Sequence, residues 1–306
     1  MSEISIVTAF FDIGRKNWKG FERDNSTYAN YFKFWARVKN HLIVYTEPKM
    51  AEQVKKIRAD YGLLDKTTVI VIEDVRKLDE PIYNLICDVL SNKLTVKFRR
   101  HPWMPECCNP LYNYIMYMKT YFLNDAINNG LTKNNMVAWV DFGFNHGGAT
   151  YPNSEEFSTI LTDNNLNNKI HLFSVDKLDD TPIFEIVRNM HTYIAGAVMI
   201  APSNMWKNLA DLYKQATISL AQCGFSDDDQ TLAVMAYRAK PTLFEIHPME
   251  DMFSSFDIFN LNLTKRPIKQ YKKTRKKAQR LLYKEKRYSA GLKLFFKYLW
   301  LKVQKK

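Results

Sequence analysis

The feature that most limits the fold is an alternation of short apolar runs with longer helical segments along residues 1–264. Most of the short runs are rich in β-branched and aromatic residues and continuously apolar, which is typical of central strands. Strands are predicted at 4–10, 42–45, 68–72, 136–140, 170–173, 197–200 and 242–246. Helices are predicted at 27–37, 51–60, 110–128, 205–221 and 227–238. This order predicts an α/β fold with a Rossmann-type, mostly parallel central sheet flanked by helices.

Charge divides the chain near residue 265. The formal net charge is +12, yet residues 265–306 hold seventeen Lys and Arg against a single acid, Glu285. The preceding 264 residues are therefore mildly acidic. We expect an α/β domain over 1–264 and a separate basic, aromatic-rich tail over 265–306.

The end of the tail combines basic residues with an apolar block between Leu292 and Val303. The block is too short and too interrupted by lysine to span a bilayer. It suits an interfacial helix, since each basic residue gains about 1 kcal/mol near an anionic leaflet. The alternatives are a terminal helix docked on the body and a disordered basic tail. Nucleic acid is the less favoured partner, because no basic patch in the body continues the tail.

Two further observations concern the cellular compartment. The four cysteines, Cys87, Cys107, Cys108 and Cys223, lack metal-binding or disulfide-framework spacing, so we expect reduced thiols. No basic segment or cleavage site accompanies the first apolar run, so no secretory signal is apparent. We expect a cytoplasmic protein, peripheral on the inner face of the cell membrane.

The strand at 136–140 ends on an acid, Asp141, within a turn that contains Gly143. Ligands of open α/β sheets collect at the carboxyl ends of strands, and Mg²⁺ uses one or two carboxylates plus substrate phosphate oxygens. We therefore predict that Asp141 binds a cation beside a nucleotide diphosphate. His247, at the end of the last predicted strand, can complete that site. The alternatives are an acid that caps the turn and a structural histidine.

The loop after the first strand is predicted to face the nucleotide. Ala9 and Phe10 end the strand, and Asp12 and Arg15 follow. An arginine at this place can clamp diphosphate oxygens, and Asp12 can accept bonds from a ribose or base. Lys119, on the helix before the Asp141 strand, is a second candidate phosphate ligand. The alternatives are a local Asp12–Arg15 pair and a solvated lysine.

A third group of candidates lies downstream. Gly196 precedes an apolar strand, where the lack of a Cβ lets backbone approach a substrate. Asp228, Asp229 and Gln230 open a helix, and neighbouring acids can raise the pKa of one of them to that of a general base. Capping by Ser226 and the helix dipole give an alternative explanation.

With these segments in place, the chain resembles the HtrL/YibB-type family of bacterial proteins associated with lipopolysaccharide and capsule synthesis. The resemblance rests on residues 7–15 with Trp18, on Lys119, and on residues 139–143. The family's plan is similar to that of GT-A glycosyltransferases, in which a nucleotide-sugar sits on a Rossmann-like half and an Asp-x-Asp motif binds Mn²⁺ or Mg²⁺.

The resemblance implies roles for single residues. Asp141 is the implied cation-binding acid, Gly196 lines the sugar pocket, and Asp228 or Asp229 is the acceptor-side carboxylate. Gly143 stands where GT-A enzymes usually have a second acid. Asp141 with His247 and the diphosphate can still hold a cation, and Arg15 with Lys119 can replace part of its charge.

The resemblance also implies an activity. We expect a glycosyltransferase that moves a sugar from a nucleotide-sugar, a UDP-sugar in particular, to a lipid-linked saccharide acceptor in lipopolysaccharide, O-antigen or capsule synthesis. The alternative is a non-catalytic, membrane-associated interaction protein that keeps the α/β fold.

Overall fold

The computed structural model describes residues 2–164, 166–267, 270–279, 281–282 and 287–303. The chain divides into two compact units, Met1–Thr264 and Lys265–Lys306. Parts of the predicted tail, namely residues 268–269, 280, 283–286 and 304–306, lie outside the described residues.

A seven-stranded sheet in the order β3-β2-β1-β4-β6-β5-β7 forms the centre of the first unit. Its strands are β1 (Ser5–Phe10), β2 (Leu42–Thr46), β3 (Thr67–Val71), β4 (Met136–Val140), β5 (Ile170–Ser174), β6 (Ile194–Pro202) and β7 (Phe244–Pro248). Strand β6 runs antiparallel to both of its neighbours, whereas the other adjacent pairs are parallel. The predicted α/β fold with a mostly parallel sheet is confirmed.

The helices of this unit are α1 (Asn25–Trp35), α2 (Pro48–Asp60), α3 (Glu80–Ser91), α4 (Lys93–Phe98), α5 (Pro105–Cys108), α6 (Pro110–Asn128), α7 (Ile183–Asn189), α8 (Trp206–Gln222) and α9 (Asp229–Ala239). The five predicted helices correspond to α1, α2, α6, α8 and α9. Helices α3, α4, α5 and α7 were not predicted. Three of them span seven residues or fewer, which is too short to display a helical period.

Successive residues of the central strands enter two different hydrophobic clusters. In β4, Val137 and Trp139 face one cluster, while Ala138 and Val140 face the other. Side chains of a strand alternate between the two faces of the sheet, so both faces of β4 are covered. This double burial explains why the run reads as continuously apolar.

Helix α6 and strand β4 place the charged residues of the site. The side chain of Asn109 accepts from the backbone N–H of Tyr112 at 3.0 Å and caps α6. One residue past β4, the backbone N–H of Asp141 donates to the carbonyl of Ala197 at 2.8 Å. The carboxyl ends of β1 and β4 therefore meet the first residues of the antiparallel β6 at one edge of the sheet.

The second unit contains helices α10 (Gln270–Gln279) and α11 (Tyr288–Val303), which pack on each other. Gly291 permits a close approach, because a Cβ there would lie 2.5 Å from Cγ of Leu282. Large exposed apolar residues of α11 are Tyr288, Leu292, Phe295, Phe296, Leu299, Trp300 and Val303. Their spacing places them on one stripe of the helix.

Among the described residues, no helix combines the length and the apolar character that are needed to cross a membrane.

Candidate active site

A cleft of about 310 Å³ opens at the edge of the sheet where β1, β4 and the start of β6 meet. It brings together ten of the twelve residues predicted from the sequence. They are Ala9, Phe10, Asp12, Arg15, Lys119, Asp141, Gly143, Gly196, Asp229 and Gln230. Asp141 and the loop after β1 thus share a cleft, as the nucleotide-binding prediction requires.

The ammonium of Lys119 lies on the floor of this cleft with its side chain 2% exposed. It donates to Oδ1 of Asp141 at 2.8 Å, to Oδ2 of Asp229 at 2.7 Å and to the carbonyl of Gly196 at 2.9 Å. An ammonium has three donors, so all of them are engaged. Burial alone would lower the pKa of Lys119, but the two carboxylates outweigh it and raise that pKa. The sequence suggested that Lys119 would bind a phosphate, but in the structure it has no free donor with which to do so.

The carboxylate of Asp141 is oriented by its neighbours. Its Oδ1 accepts from the indole N–H of Trp139 at 2.6 Å as well as from Lys119. The Asp141 side chain is 33% exposed, whereas that of Asp229 is 3% exposed. Of the two acids bridged by Lys119, Asp141 is the one that a ligand in the cleft can reach.

Gly196 has a structural role that was not predicted. A Cβ at this position would lie 1.6 Å from Oδ2 of Asp229, so only glycine leaves room for that carboxylate. The close approach that the missing Cβ permits is to Asp229 of the same chain. Gly196 also lines the cleft, and a contact with a sugar stays a prediction.

Two guanidinium groups face the cleft near the first strand. Arg15 donates to the hydroxyl of Tyr28 at 2.8 Å and to the carbonyl of Phe21 at 3.2 Å. Arg23 lies 3.4 Å from Nε2 of His146. Within the described residues, neither arginine forms an ion pair with an acid. Their charge is therefore available to an anion in the cleft.

The acids that open α9 have separate environments. Asp227 pairs with the buried Arg99 at 3.2 Å. Asp228 caps α9 by accepting from the backbone N–H of Gln230 at 3.1 Å, and it is absent from the cleft lining. Burial, followed by the charges of Asp227 and Asp229, raises the pKa of Asp228 well above its ordinary value. Capping thus accounts for Asp228, which takes the N-cap position predicted for Ser226, while a catalytic role for Asp229 stays a prediction.

His247 does not complete a site with Asp141, and that prediction is wrong. It is paired with Phe173 of β5 in the sheet register, three strands away from β4. Three strand spacings amount to about 14 Å, too far for two ligands of one ion. Its Nε2 lies 2.9 Å from Nδ1 of His171, so it belongs to a structural histidine pair.

The donor set for Mn²⁺ or Mg²⁺ at Asp141 is correspondingly poor. Within the described residues, no group of three or more His, Cys, Asp or Glu side chains can hold a metal ion. Asp12, the other acid at the cleft mouth, accepts from the backbone N–H of Gly14 at 2.8 Å and from the amide of Asn25 at 3.1 Å. These residues do not fit a cation held by several protein ligands.

Several cleft residues were not assigned from the sequence. They include Arg23, Tyr112, His146, Met252 and Phe253. The sequence did hold a local signal for the position of Arg23. The next residue, Asp24, caps α1 by accepting from the backbone N–H of Thr27 at 2.7 Å, so Arg23 ends the loop before that helix. Met252 and Phe253 reach the cleft from the segment after β7, on the far edge of the sheet. No local sequence pattern predicts that this segment comes back to the cleft.

Fold and site together define an α/β protein with a charged, aromatic-lined cleft at the carboxyl edge of β1 and β4. The chain belongs to the HtrL_YibB family, since the family model described as "Bacterial protein of unknown function (HtrL_YibB)" matches residues 2–280. It is 31% identical over 264 residues to Protein HtrL of Escherichia coli (strain K12), covering 80% of this chain and 88% of that protein. The family resemblance predicted from the sequence is confirmed.

A search of solved structures found similarity to mouse xyloside xylosyltransferase 1 in its apo form. The TM-score is 0.41 and the sequence identity 14%, over 80% of this chain and 85% of that one.

Replacing Gly196 by alanine should destabilise the fold by about 3 kcal/mol or more, because the new methyl group overlaps the Asp229 carboxylate. Denaturant unfolding measures the change. Gly143→Ala is the matched control, since its Cβ would meet the side chains of Tyr28 at 3.3 Å and Tyr31 at 3.6 Å, and we expect a cost below about 1 kcal/mol. Equal costs for the two variants would contradict the assigned role of Gly196.

His146 should make stability fall as pH decreases. Burial, then Arg23 and Arg15, lowers its pKa from 6.5 to about 4. Between these values the unfolded chain binds a proton that the folded chain does not, so the free energy of unfolding decreases through this window, by roughly 2 kcal/mol.

The test compares the pH dependence of unfolding for the wild type and His146→Asn. Asparagine tolerates the left-handed backbone at this position, where φ is 43°. The variant should lose less stability between pH 6.5 and pH 4. The exposed His101→Asn serves as control, and a wild-type slope in His146→Asn would refute the assignment.

Proposed function

We propose that the protein is a glycosyltransferase that transfers a sugar from a nucleotide-sugar, a UDP-sugar in particular, to an acceptor hydroxyl. One observation carries the proposal. Two guanidinium groups without acid partners among the described residues, Arg15 and Arg23, share a cleft with a buried ammonium that bridges Asp141 and Asp229. The two guanidinium groups suit a diphosphate, and Asp141 suits the hydroxyl groups of a sugar.

The walls of the cleft support this assignment. Its aromatic lining residues are Phe10, Phe11, Tyr28, Tyr112, Trp139, Phe142 and Phe253. Such rings offer flat apolar surfaces on which a base or a sugar face can stack. A binding site of this kind is concave and mostly apolar, with a few oriented polar groups.

The proposed chemistry follows from where charge develops. Breaking the bond between the sugar and the diphosphate leaves negative charge on the diphosphate, and guanidinium groups oriented in advance stabilise it. Asp141, with its Oδ1 already oriented, accepts from sugar hydroxyl groups. We assign Asp229 as the counter-ion that positions Lys119, since its Oδ2 is engaged and its side chain is buried. Its action as general base stays a prediction.

We further propose a lipid-linked saccharide acceptor at the inner face of the cell membrane, in lipopolysaccharide, O-antigen or capsule synthesis. The support is the apolar stripe of α11 together with the basic residues of the tail. A helix of this kind binds an anionic bilayer surface without crossing it. An enzyme held there meets its acceptor at a high local concentration.

The alternative function is a non-catalytic, membrane-associated interaction protein. It is consistent with the same tail but gives no reason for two cleft guanidinium groups that have no acid partner within the part of the chain that the structure describes. The two functions differ in what they require of Asp141.

Transfer or hydrolysis should be detected when the full chain is incubated with a panel of nucleotide-sugars. Asp141→Asn keeps the shape and the bond from Trp139 but removes the charge, so we expect turnover to fall by roughly a hundredfold. Asp211→Asn, in an exposed ion pair on α8, is the matched control and should keep wild-type turnover. A folded wild type that binds and turns over none of the donors would eliminate the transferase proposal.

The tail proposal predicts binding to vesicles that contain phosphatidylglycerol. Phe296→Ser with Trp300→Ser removes two of the largest exposed rings of the stripe, and we expect at least tenfold weaker binding in a flotation assay. Leu94→Ser, which replaces a residue 74% exposed in the first unit, is the control. Unchanged binding of the double variant would rule out the stripe as the docking surface.

A further inference from the structure

The three cleft acids and the three cleft cations have unequal access to a ligand. Lys119 is bonded on all sides by protein acceptors and its side chain is 2% exposed. Arg15 and Arg23 are partly exposed and have no acid partner among the described residues. Positive charge for a bound anion therefore comes from the arginines, while Lys119 serves the acids.

The position of Lys119 is the one that a divalent cation bridging Asp141 and Asp229 would occupy. Its Nζ lies 2.8 Å from Asp141 and 2.7 Å from Asp229, and so bridges the two carboxylates. A metal ion between them would have to displace a buried ammonium and leave it without partners, at a large electrostatic penalty. One ammonium thus already bridges the two acids and offsets part of their negative charge from inside the protein.

The other positions considered for a cation site do not complete one at Asp141. Gly143 supplies no side chain where a second acid would stand, and His247 lies three strands from β4. The imidazole of His146 does line the cleft, yet its Nε2 faces the guanidinium of Arg23 at 3.4 Å. A cation at that nitrogen would lie against a fixed positive charge.

We propose that this protein binds its donor diphosphate without a divalent cation. Arg15 and Arg23 bind the phosphate oxygens, and Lys119 fills the place between Asp141 and Asp229. The inference rests on the proposed function and deepens it, because it names the groups that replace the metal of a GT-A site. Arg23 is thereby assigned as a phosphate ligand, a role that was not predicted from the sequence.

The test measures binding of UDP and of UDP-sugars to the full chain by calorimetry, with EDTA and separately with Mn²⁺ or Mg²⁺. We expect dissociation constants within about threefold of each other. Binding that weakens more than about tenfold in EDTA would overturn the cation-free site while leaving the donor assignment intact. Failure to bind under every condition, with a folded protein and other nucleoside diphosphates also negative, would overturn the proposed function itself.

Two arginine variants test which side chains supply the positive charge that binds the diphosphate. Arg23→Gln and Arg15→Gln should each weaken UDP binding by about tenfold or more, to the same extent with and without Mn²⁺. Arg76→Gln, in an exposed ion pair with Asp74, is the matched control and should bind as the wild type does. Wild-type affinity in both cleft variants would overturn their assignment as phosphate ligands.

Lys119→Ala provides an independent test of the cation-free site, and this test does not require a nucleotide. It leaves two adjacent carboxylates without their counter-ion, so Mn²⁺ should raise the melting temperature of the variant but leave that of the wild type unchanged. A wild type stabilised by Mn²⁺ as strongly as the variant would contradict the proposal. If Lys119→Ala does not fold, Lys119→Gln replaces it, and the wild-type titration with Mn²⁺ remains decisive.

Discussion

A buried ammonium shared by two carboxylates and a carbonyl is the interaction on which the rest of the cleft depends. Lys119 joins α6 to β4 through Asp141, to α9 through Asp229 and to β6 through Gly196. Two carboxylates this close would repel each other if the positive charge were absent. One side chain thus fixes the mutual positions of four elements that lie far apart in the sequence.

Much of the framework of this site is predictable from local pattern. The strand at 136–140 and the helix at 110–128 have the predicted limits, because an apolar run buried on both faces and an Asn-Pro start are strong local signals. The shared edge of β1 and β4 follows from parallel topology, so Asp141 and Arg15 could be placed in one cleft from the sequence.

The partners inside the cleft were not predictable in the same way. Lys119 and Asp229 are 110 residues apart, and no local period indicates that one neutralises the other. Nothing in the residues of β6 marks it as the antiparallel strand, although that orientation brings its first residues to the ligand edge. For His247 the sequence predicted a contact that does not exist. A histidine at a strand end is a plausible metal ligand, but the order of the strands places it far from Asp141.

The clash between a methyl group at position 196 and the Asp229 carboxylate also restricts how this family can diverge. A side chain at 196 becomes tolerable only after residue 229 has become smaller or has turned away. Loss of the Asp229 carboxylate in turn leaves Lys119 with one acid instead of two. Mutational routes through this site are therefore ordered, and the effect of a change at 196 depends on which residue already occupies 229.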